Sequence, residues 1–235
     1  MAEWNRILLK LSGEALSGEI GHGFDENVCR EVAGEIAELT RKGIQIAVVT
    51  GGGNFWRGRN SSKIIERSHS DQIGMLGTVI NCIYMSELVR LEGIGTTVYT
   101  PFECGGITTL FSSDAAVKDL EDGKVIFFAG GTGHPYFSTD SGSSLRALQI
   151  GADCIFLAKA VDGIYDSDPN LNPEAKKYDV LPMKEVVEKS LAAIDLTSAV
   201  MCLENKMPMM VFGLRGERSI VNAVSGEFTG TRVTV

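Results

Sequence analysis

Short apolar segments alternate with longer amphipathic ones along almost the whole chain, and this alternation is the feature that most limits its possible folds. The apolar segments have the length of strands, whereas apolar side chains between them recur every three or four residues, as they do in helices. Strands that alternate with helices are typical of a mostly parallel sheet covered on both faces. We therefore predict an α/β fold, a three-layer α/β/α sandwich with a mostly parallel central sheet. The predicted strands are residues 6–11, 44–50, 96–100, 124–129, 154–158, 208–212 and 231–235, and the predicted helices are residues 26–41, 71–91, 113–120, 140–150, 183–188, 195–205 and 217–224.

Glycine follows several of the predicted strands directly. The segment 51–53 is Gly-Gly-Gly, and the segment 130–133 is Gly-Gly-Thr-Gly. A single glycine after a strand is explained by turn formation alone. Two glycine clusters at the carboxyl edge of a parallel sheet, where ligands bind, instead indicate backbone amides that approach a phosphorylated ligand closely. Residues 162–182, rich in Asp, Asn and Pro, are predicted to be a long irregular excursion beside one continuous sheet.

Neither of the two familiar nucleotide-binding glycine patterns is present. The P-loop pattern fails because Arg59-Asn60 stands where Lys-Ser or Lys-Thr is needed, and the dinucleotide fingerprint fails at Tyr136, in place of its third glycine. A phosphate-binding site built without these patterns must obtain its cations from elsewhere in the chain. The nearest candidates are Lys10, Arg57 and Lys159.

Charge and cysteine content exclude several functional classes. The net charge of −8 argues against general binding to nucleic acid or to an anionic membrane. The five cysteines are scattered without a C-x-x-C pair, which indicates reduced thiols, and we expect a cytoplasmic protein. The three histidines are far apart, so no metal cluster is predicted. No continuous apolar run reaches the roughly 18 residues of a membrane span, so no membrane partner is expected.

Five sequence blocks stand out along the chain: KLSGEAL at 10–16, GGGNFWRG at 51–58, SDQIGMLGTVIN at 70–81, GTGHPYFSTD at 131–140 and AVDGIYDSDP at 160–169. Together, and in this order, they resemble the bacterial UMP kinases of the amino acid kinase superfamily. The resemblance implies one amino acid kinase domain, with residues 1–150 as the UMP-side lobe and 151–235 as the ATP-side lobe. It also implies transfer of the γ-phosphoryl group of ATP, with Mg²⁺, to UMP in pyrimidine nucleotide biosynthesis.

The resemblance assigns catalytic roles to Lys10, Arg57 and Asp195. Lys10 matches the lysine that reaches the exchanged phosphates, and Arg57 matches the arginine between donor and acceptor, where a guanidinium binds phosphate bidentately. Asp195 matches the aspartate that orients the lysine. Each residue also has a plain structural alternative: Lys10 as an edge lysine reaching solvent, Arg57 as a solvated loop residue, and Asp195 as a helix N-cap.

The same resemblance assigns two sets of binding residues. In the acceptor set, Asp71 binds the ribose or else caps a helix, and His134 contacts uracil or else lies in solvent. In the donor set, Tyr165 lies near adenine and Asp168 near ribose. The ATP set is Lys10, Leu11, Ser12, Gly13, Gly53, Arg57, Lys159, Tyr165 and Asp168, and the UMP set is Gly52, Asp71, Thr132, Gly133, His134, Pro135, Tyr136, Phe137, Ser138 and Thr139.

Assembly and regulation are also implied by the resemblance. Family members form homohexamers, and many respond to GTP as an activator and UTP as an inhibitor; residues 17–25 resemble a segment linked to that control. Ser86, Glu87 and Arg90 depart from the pattern that contacts GTP in relatives. Two rival functions share the superfamily fold: a kinase with a carboxylate acceptor, such as acetylglutamate or aspartate, and an ATP-binding storage protein. The block GTGHPYFSTD argues against the carboxylate kinase, and the presence of Lys10, Arg57, Asp71 and Asp195 together argues for turnover rather than storage.

Overall fold

A nine-stranded sheet contains all the predicted strands and forms the middle layer of the molecule. The computed structural model describes residues 4–56, 64–191, 193–214, 216–227 and 229–235. The strands are β1 Arg6–Leu11, β2 Gln45–Thr50, β3 Thr96–Thr100, β4 Thr109–Leu110, β5 Val125–Phe128, β6 Cys154–Lys159, β7 Ile164–Tyr165, β8 Lys177–Tyr178, β9 Val180–Pro182, β10 Met209–Gly213 and β11 Thr231–Thr234. The helices are α1 Gly13–Leu16, α2 Glu26–Arg41, α3 Arg67–Leu91, α4 Ser113–Glu121, α5 Thr139–Gln149, α6 Met183–Glu188, α7 Leu196–Glu204 and α8 Ser219–Ser225, with a 3-10 turn at Gly18–Ile20.

The strand order across the sheet is β4-β3-β5-β2-β1-β6-β10-β11-β9, with β1 at its centre. Neighbouring strands are parallel except for β10 and β11, which are antiparallel. The carboxyl ends of β1, β2, β5 and β6 therefore meet at one edge, where the glycine segments follow them. This arrangement confirms the predicted mostly parallel sheet.

The two faces of the sheet are covered by different helices, which confirms the predicted three layers. Because side chains alternate along a strand, Leu9 of β1 packs in a core with α2, α3 and α8. Leu8 faces the opposite core, which is completed by α4, α5, α6 and α7. Lys10 shares the face of Leu8, and Lys159 at the end of β6 shares the face of Leu157. Both lysines consequently point into the layer that contains α5.

The sequence predicts every long element, but not five short ones, namely α1, β4, β7, β8 and β9. α2 and α6 have the predicted bounds, but α3 begins at Arg67 rather than at residue 71. The segment 162–182 is not simply irregular, because β7 and β8 form a separate antiparallel pair and β9 adds an edge strand beside β11. Elements of two to four residues carry too few side chains for a periodic pattern to reveal them.

Helix α3 is long and apolar enough to cross a membrane by length and composition alone. It is instead a core helix, since Val79, Met85 and Val89 pack against the sheet and α2. Val79 and Met85 therefore serve the core. A different row on α3 remains exposed to solvent, namely Ile73, Leu76 and Ile80.

The central position of β1 predicts that its core side chains dominate stability. We expect Leu9→Ala to lower the free energy of unfolding by about 2–5 kcal/mol, because it removes buried methyl groups and leaves a cavity. The matched control is Leu91→Ala at the end of α3, where the leucine is 75% exposed, and it should change stability by less than about 0.5 kcal/mol. Urea unfolding at neutral pH measures both values. Equal losses for the two variants would contradict this account of the core.

Candidate active site

Lys10, Asp140 and Lys159 form a buried charge cluster at the carboxyl edge of the sheet. Lys10 is only 9% exposed, and its Nζ lies 3.0 Å from Asp140 Oδ1. The other carboxylate oxygen, Oδ2, lies 3.2 Å from Nζ of Lys159, which also donates to the carbonyl of Ala193. Lys10 belongs to β1, Lys159 ends β6, and Asp140 lies in the first turn of α5. One carboxylate thus holds two cations together.

The pKa values in this cluster follow from burial and from the three charges. Burial by itself raises the pKa of Asp140, but the two neighbouring ammonium groups outweigh burial and hold it well below its usual range. Burial lowers the pKa of Lys159, and repulsion from Lys10 lowers it further, whereas Asp140 and, more weakly, Asp195 oppose both effects. With both lysines protonated, the cluster carries one net positive charge. A group with that charge attracts an anion such as a phosphate.

Asp140 contacts Lys10 directly, a role that the sequence did not give it, whereas Asp195, predicted to orient the lysine, lies nearby in its alternative role as a helix N-cap. Asp195 is the N-cap of α7, where its Oδ1 accepts from the backbone N–H of Ser198 at 3.3 Å. The same oxygen accepts from the hydroxyl of Ser141 at 2.8 Å. Asp195 therefore supports the first turn of α5, next to Asp140. The sequence placed Asp140 only at the end of the acceptor block, so its partnership with Lys10 was missed.

The glycine turns after β1 and β2 are packed directly against each other. A Cβ atom on Gly13 would lie 2.6 Å from the carbonyl oxygen of Gly51 and 2.9 Å from the amide nitrogen of Gly53. A Cβ atom on Gly52 would lie 2.5 Å from the carbonyl oxygen of Gly74 in α3. No side chain fits at these positions without a shift of backbone. The predicted close approach of the glycine segments is therefore a requirement of packing as well as of ligand access.

Two buried asparagines, not identified from the sequence, fix the turn after β2. The side-chain nitrogen of Asn81 donates to the carbonyl of Gly51 at 2.6 Å and to Asn54 Oδ1 at 2.8 Å. Asn54 Nδ2 donates to Asn81 Oδ1 at 3.0 Å and to the carbonyl of Gly23 at 2.8 Å. Buried amides that satisfy one another in this way hold a loop in one position. A polar residue at position 81, within an apolar stretch of the predicted helix, was the available signal.

A cleft of about 250 Å³ opens beside this turn, between α3 and the segment that follows β5. Asp71 lies in its wall, where Oδ2 accepts from Arg67 Nε at 2.8 Å and from the backbone N–H of Tyr136 at 2.9 Å. Among the described residues, no donor contacts the other oxygen of Asp71. Because α3 begins at Arg67, Asp71 lies inside the helix and is not its N-cap. Its two bonds instead tie α3 to the 130–138 segment.

Seven of the ten residues predicted for the acceptor line this cleft: Gly52, Asp71, Thr132, His134, Phe137, Ser138 and Thr139. Gly133 and Pro135 do not, and Tyr136 reaches it only through its bond to Asp71. Tyr136 adopts a positive φ of 71°, a strained conformation for a residue with a side chain. Lining residues that belong to neither predicted binding set are Trp56, Arg67, Ser70, Gly74, Met75, Thr78, Gly130 and Gly131.

The amino end of α5 forms the floor between the cleft and the charge cluster. The helix begins at Thr139, and Ser138 is its N-cap, accepting from the N–H of Ser141 at 3.1 Å. Unpaired amides and the helix dipole at such an end favour negatively charged ligands. Asp140 in the same turn carries the charge that binds Lys10 and Lys159. The helix end thus lies between the cleft and the cations.

The other residues predicted to bind ATP belong to two separate segments, one at the end of β1 and one after β6. Leu11 ends β1, and Ser12 donates its N–H to the carbonyl of Ala158 at 3.3 Å, which joins the first turn to β6. The hydroxyl of Tyr165 donates to Asp162 at 2.7 Å, and Oδ1 of Asp168 accepts from the N–H of Asn170 at 2.9 Å. Both residues therefore bond within the segment after β6. Arg57 lies outside the described residues.

A parallel sheet with glycine turns, two buried lysines and a helix amino end at one edge defines a phosphate-binding α/β protein. The model of the Amino acid kinase family matches residues 5–213. The chain therefore belongs to the amino acid kinase family.

Among solved structures, the chain is similar to UMP kinases and a uridylate kinase. The UMP kinase of Bacillus anthracis superposes with a TM-score of 0.93 at 31% identity, covering 98% of this chain and 96% of that one. The UMP kinase of Ureaplasma parvum gives 0.92 at 30% identity, with coverages of 98% and 99%. The uridylate kinase of Archaeoglobus fulgidus gives 0.70 at 25% identity over the full length of both chains. Family and fold together support a UMP kinase-like phosphotransferase.

The charge cluster yields a prediction about stability and its dependence on pH. We expect Asp140→Asn to lower the free energy of unfolding at pH 7 by about 3 kcal/mol, because buried Lys10 and partly buried Lys159 lose their partner. The folded-state pKa of Asp140 is depressed, so its contribution is fully present above the unfolded pKa of about 3.9 and is lost as pH falls towards the folded value. The difference between the two proteins should be constant from pH 8 to 5 and shrink below pH 4.

Urea unfolding at a series of pH values measures this difference. The control is Asp122→Asn, at an exposed carboxylate after α4, which should stay within about 0.5 kcal/mol of the parent protein. A difference for Asp140→Asn that vanished between pH 8 and 6 would assign the effect to another group.

Proposed function

We propose that this protein transfers the γ-phosphoryl group of ATP to UMP, giving UDP and ADP in pyrimidine nucleotide biosynthesis. The observation that carries the proposal is the position of the Asp71 cleft beside the Lys10–Asp140–Lys159 cluster, on one edge of the sheet. If the phosphates of two nucleotides are to meet, the protein needs a pocket for the acceptor directly beside cations that neutralise the phosphates. The similarity to two UMP kinases over nearly the full chain at 30–31% identity supports the same acceptor.

In this proposal the cleft holds UMP. The oxygen of Asp71 that has no donor among the described residues accepts a hydrogen bond from a ribose hydroxyl. Its other oxygen stays bonded to Arg67 and Tyr136, so the carboxylate does not need to reorient. Thr132 and His134 offer polar atoms to uracil, and Thr139 places the acceptor phosphate at the amino end of α5.

The transfer step requires positioning and positive charge rather than a base. The attacking atom is a phosphate oxygen that is already ionised at neutral pH, so no proton has to be removed. Lys10 and Lys159 neutralise charge on the transferred group, and the amides after β1 and β2 orient it. Arg57 is proposed to lie between the two phosphates, and Tyr165 and Asp168 to bind the nucleoside part of ATP.

Mg²⁺ is proposed to enter with ATP, bound mainly by phosphate oxygens. The described residues include no group of three or more His, Cys, Asp or Glu side chains that could hold a metal ion, which suits an ion carried by its substrate. When bound, Mg²⁺ neutralises charge on the phosphates and holds them in one geometry. Lys10 and Lys159 add to that neutralisation from the protein side.

We also propose a cytoplasmic homohexamer that responds to UTP as an inhibitor and GTP as an effector. An exposed apolar row on α3, Ile73, Leu76 and Ile80, is suited to a subunit contact. Five free cysteines, four of them buried, suit a reducing compartment. The bond from Asn54 to the carbonyl of Gly23 gives the segment 17–25 a direct connection to the turn after β2, through which an effector can act.

An acceptor panel tests the proposed reaction. With Mg-ATP, ADP release should rise strongly on addition of UMP and much less with AMP, GMP, glutamate or aspartate, because the cleft recognises a uridine nucleotide. Coupled measurement of ADP follows the rate, and detection of UDP identifies the product. Comparable rates with glutamate or aspartate would establish a carboxylate kinase, and ATP binding without turnover on any acceptor would establish a storage role.

A substitution in the cleft tests the role of Asp71. We expect Asp71→Asn to raise KM for UMP by about tenfold with little change in kcat, since it weakens hydrogen bonds made in the ground state as well as in the transition state. The control is Asp114→Asn, an exposed aspartate in α4, which should leave both constants unchanged. Steady-state kinetics with varied UMP measures the effect. An unchanged KM for UMP would limit Asp71 to joining α3 with the 130–138 segment.

A further inference from the structure

Arg146 of α5 is a buried cation that neither the sequence resemblance nor the proposed mechanism uses. The residue is 5% exposed, and its guanidinium carbon lies 3.9 Å from the ring centroid of Phe111 and 5.9 Å from that of Phe128. Within the part of the chain that the structure describes, no carboxylate forms an ion pair with it. Burial lowers the pKa of Arg146 to about 10, so it remains a cation at pH 7.

A buried guanidinium without a carboxylate is costly, and the two rings offset only part of that cost. An apolar side chain of similar length would fill the space between α5 and the sheet without desolvating a charge. Departures of this kind from good core packing are expected where a residue serves a site. The contacts of Arg146 indicate which site that is.

The guanidinium of Arg146 joins α5 to the segment that forms one wall of the cleft. One nitrogen donates to Gln149 Oε1 at 2.7 Å, and the other donates to the carbonyl of Gly131 at 3.4 Å. The second distance is at the long end of hydrogen bonding, so the charge of the donor contributes much of its strength. Gly131 lines the cleft, with a positive φ of 57°.

The same helix supports the same peptide at a second point. A Cβ atom on Gly142 would lie 3.2 Å from Cα of Gly131 and 3.5 Å from the amide nitrogen of Thr132. Because a trans peptide directs its carbonyl and its N–H to opposite sides, a Gly131 carbonyl held by Arg146 directs the N–H of Thr132 away from the guanidinium. Among the described residues, that N–H has no protein acceptor.

We propose that Arg146 is a positioning residue for the acceptor nucleotide, which holds the Gly131–Thr132 peptide from the core side so that the N–H of Thr132 stays available to the nucleotide. Thr78 assists at the preceding residue, where its hydroxyl accepts from the N–H of Gly130 at 2.7 Å. Asp71 holds the far end of the segment through Tyr136. The inference rests on the proposed function for the identity of the acceptor, but not for the position of the segment.

Three variants of the full chain test this proposal. Arg146→Met keeps the length and packing of the side chain but removes its charge and donors, and Arg146→Lys keeps the charge without the planar fork. The matched control is Arg6→Met: Arg6 also donates to a glutamine Oε1, that of Gln45, and to a backbone carbonyl, that of Ile150, but it lies at the start of β1, away from the cleft. Melting temperatures establish that each variant is folded.

Arg146→Met should raise KM for UMP about tenfold while KM for ATP changes less than twofold, the expected loss for one charge-assisted hydrogen bond. In the free protein, amide exchange across residues 131–138 should become about tenfold faster, with exchange across residues 51–54 unchanged. Arg146→Lys should recover part of both effects, and Arg6→Met should show neither.

A lower melting temperature for Arg146→Met with parental exchange at 131–138 and parental KM for UMP would overturn the proposal, because Arg146 would then serve packing alone. Equal increases in KM for UMP and ATP, with exchange raised throughout α5, would overturn it as well. If the parent protein did not phosphorylate UMP, the proposed function would fail, but exchange at 131–138 in the free variants would still decide whether Arg146 positions the segment.

Discussion

The contact of Asp140 with Lys10 and Lys159 links the central sheet to the chemistry at its edge. A lysine in the middle strand of a sheet is too costly to bury alone, and two such lysines close together would repel each other. One carboxylate from α5 removes both difficulties, with Nζ to oxygen distances of 3.0 and 3.2 Å. The same contact fixes where α5 begins relative to β1 and β6. Since the amino end of α5 also borders the cleft, one electrostatic contact determines the relative positions of the cations and the cleft.

The position of the cleft follows from the order of the strands. β1 lies between β2 and β6, and β5 lies beyond β2, so four strands end beside one another at the same edge. The segments that follow them can approach closely only because glycine occupies the contact points at 13, 52 and 142. Asn54 and Asn81 are buried and hydrogen-bond to each other, and this pair holds the glycine turn after β2 in place. The glycines thus allow close packing at this wall, and hydrogen bonds from the two asparagines hold the turn after β2.

Much of the fold was predictable from the sequence, and the limits of prediction have physical causes. The long strands and helices carry enough side chains for periodicity to define them, as α2 and β1 illustrate. The predicted start of α3, residue 71, lies four residues after the observed one. The reason is that residues 67–70 are polar and show no periodic apolar pattern. For the site, an apolar strand that contains Lys10 implied a partner, yet no local pattern identifies a residue 130 positions away. Asp140 became evident only when α5 was placed against β1 and β6.

The charge of the whole chain and the charge of its site have opposite signs, and both suit a protein that binds two anions. With a net charge of −8, the surface repels nucleic acid and other polyanions in general. At the edge of the sheet, Lys10 and Lys159 face one aspartate, while Arg146 lies buried beneath the cleft with no ion-pair partner among the described residues. Buried charges are screened much less by salt than exposed ones. Positive charge concentrated beneath an acidic surface therefore favours small anions that can enter the cleft over large polyanions.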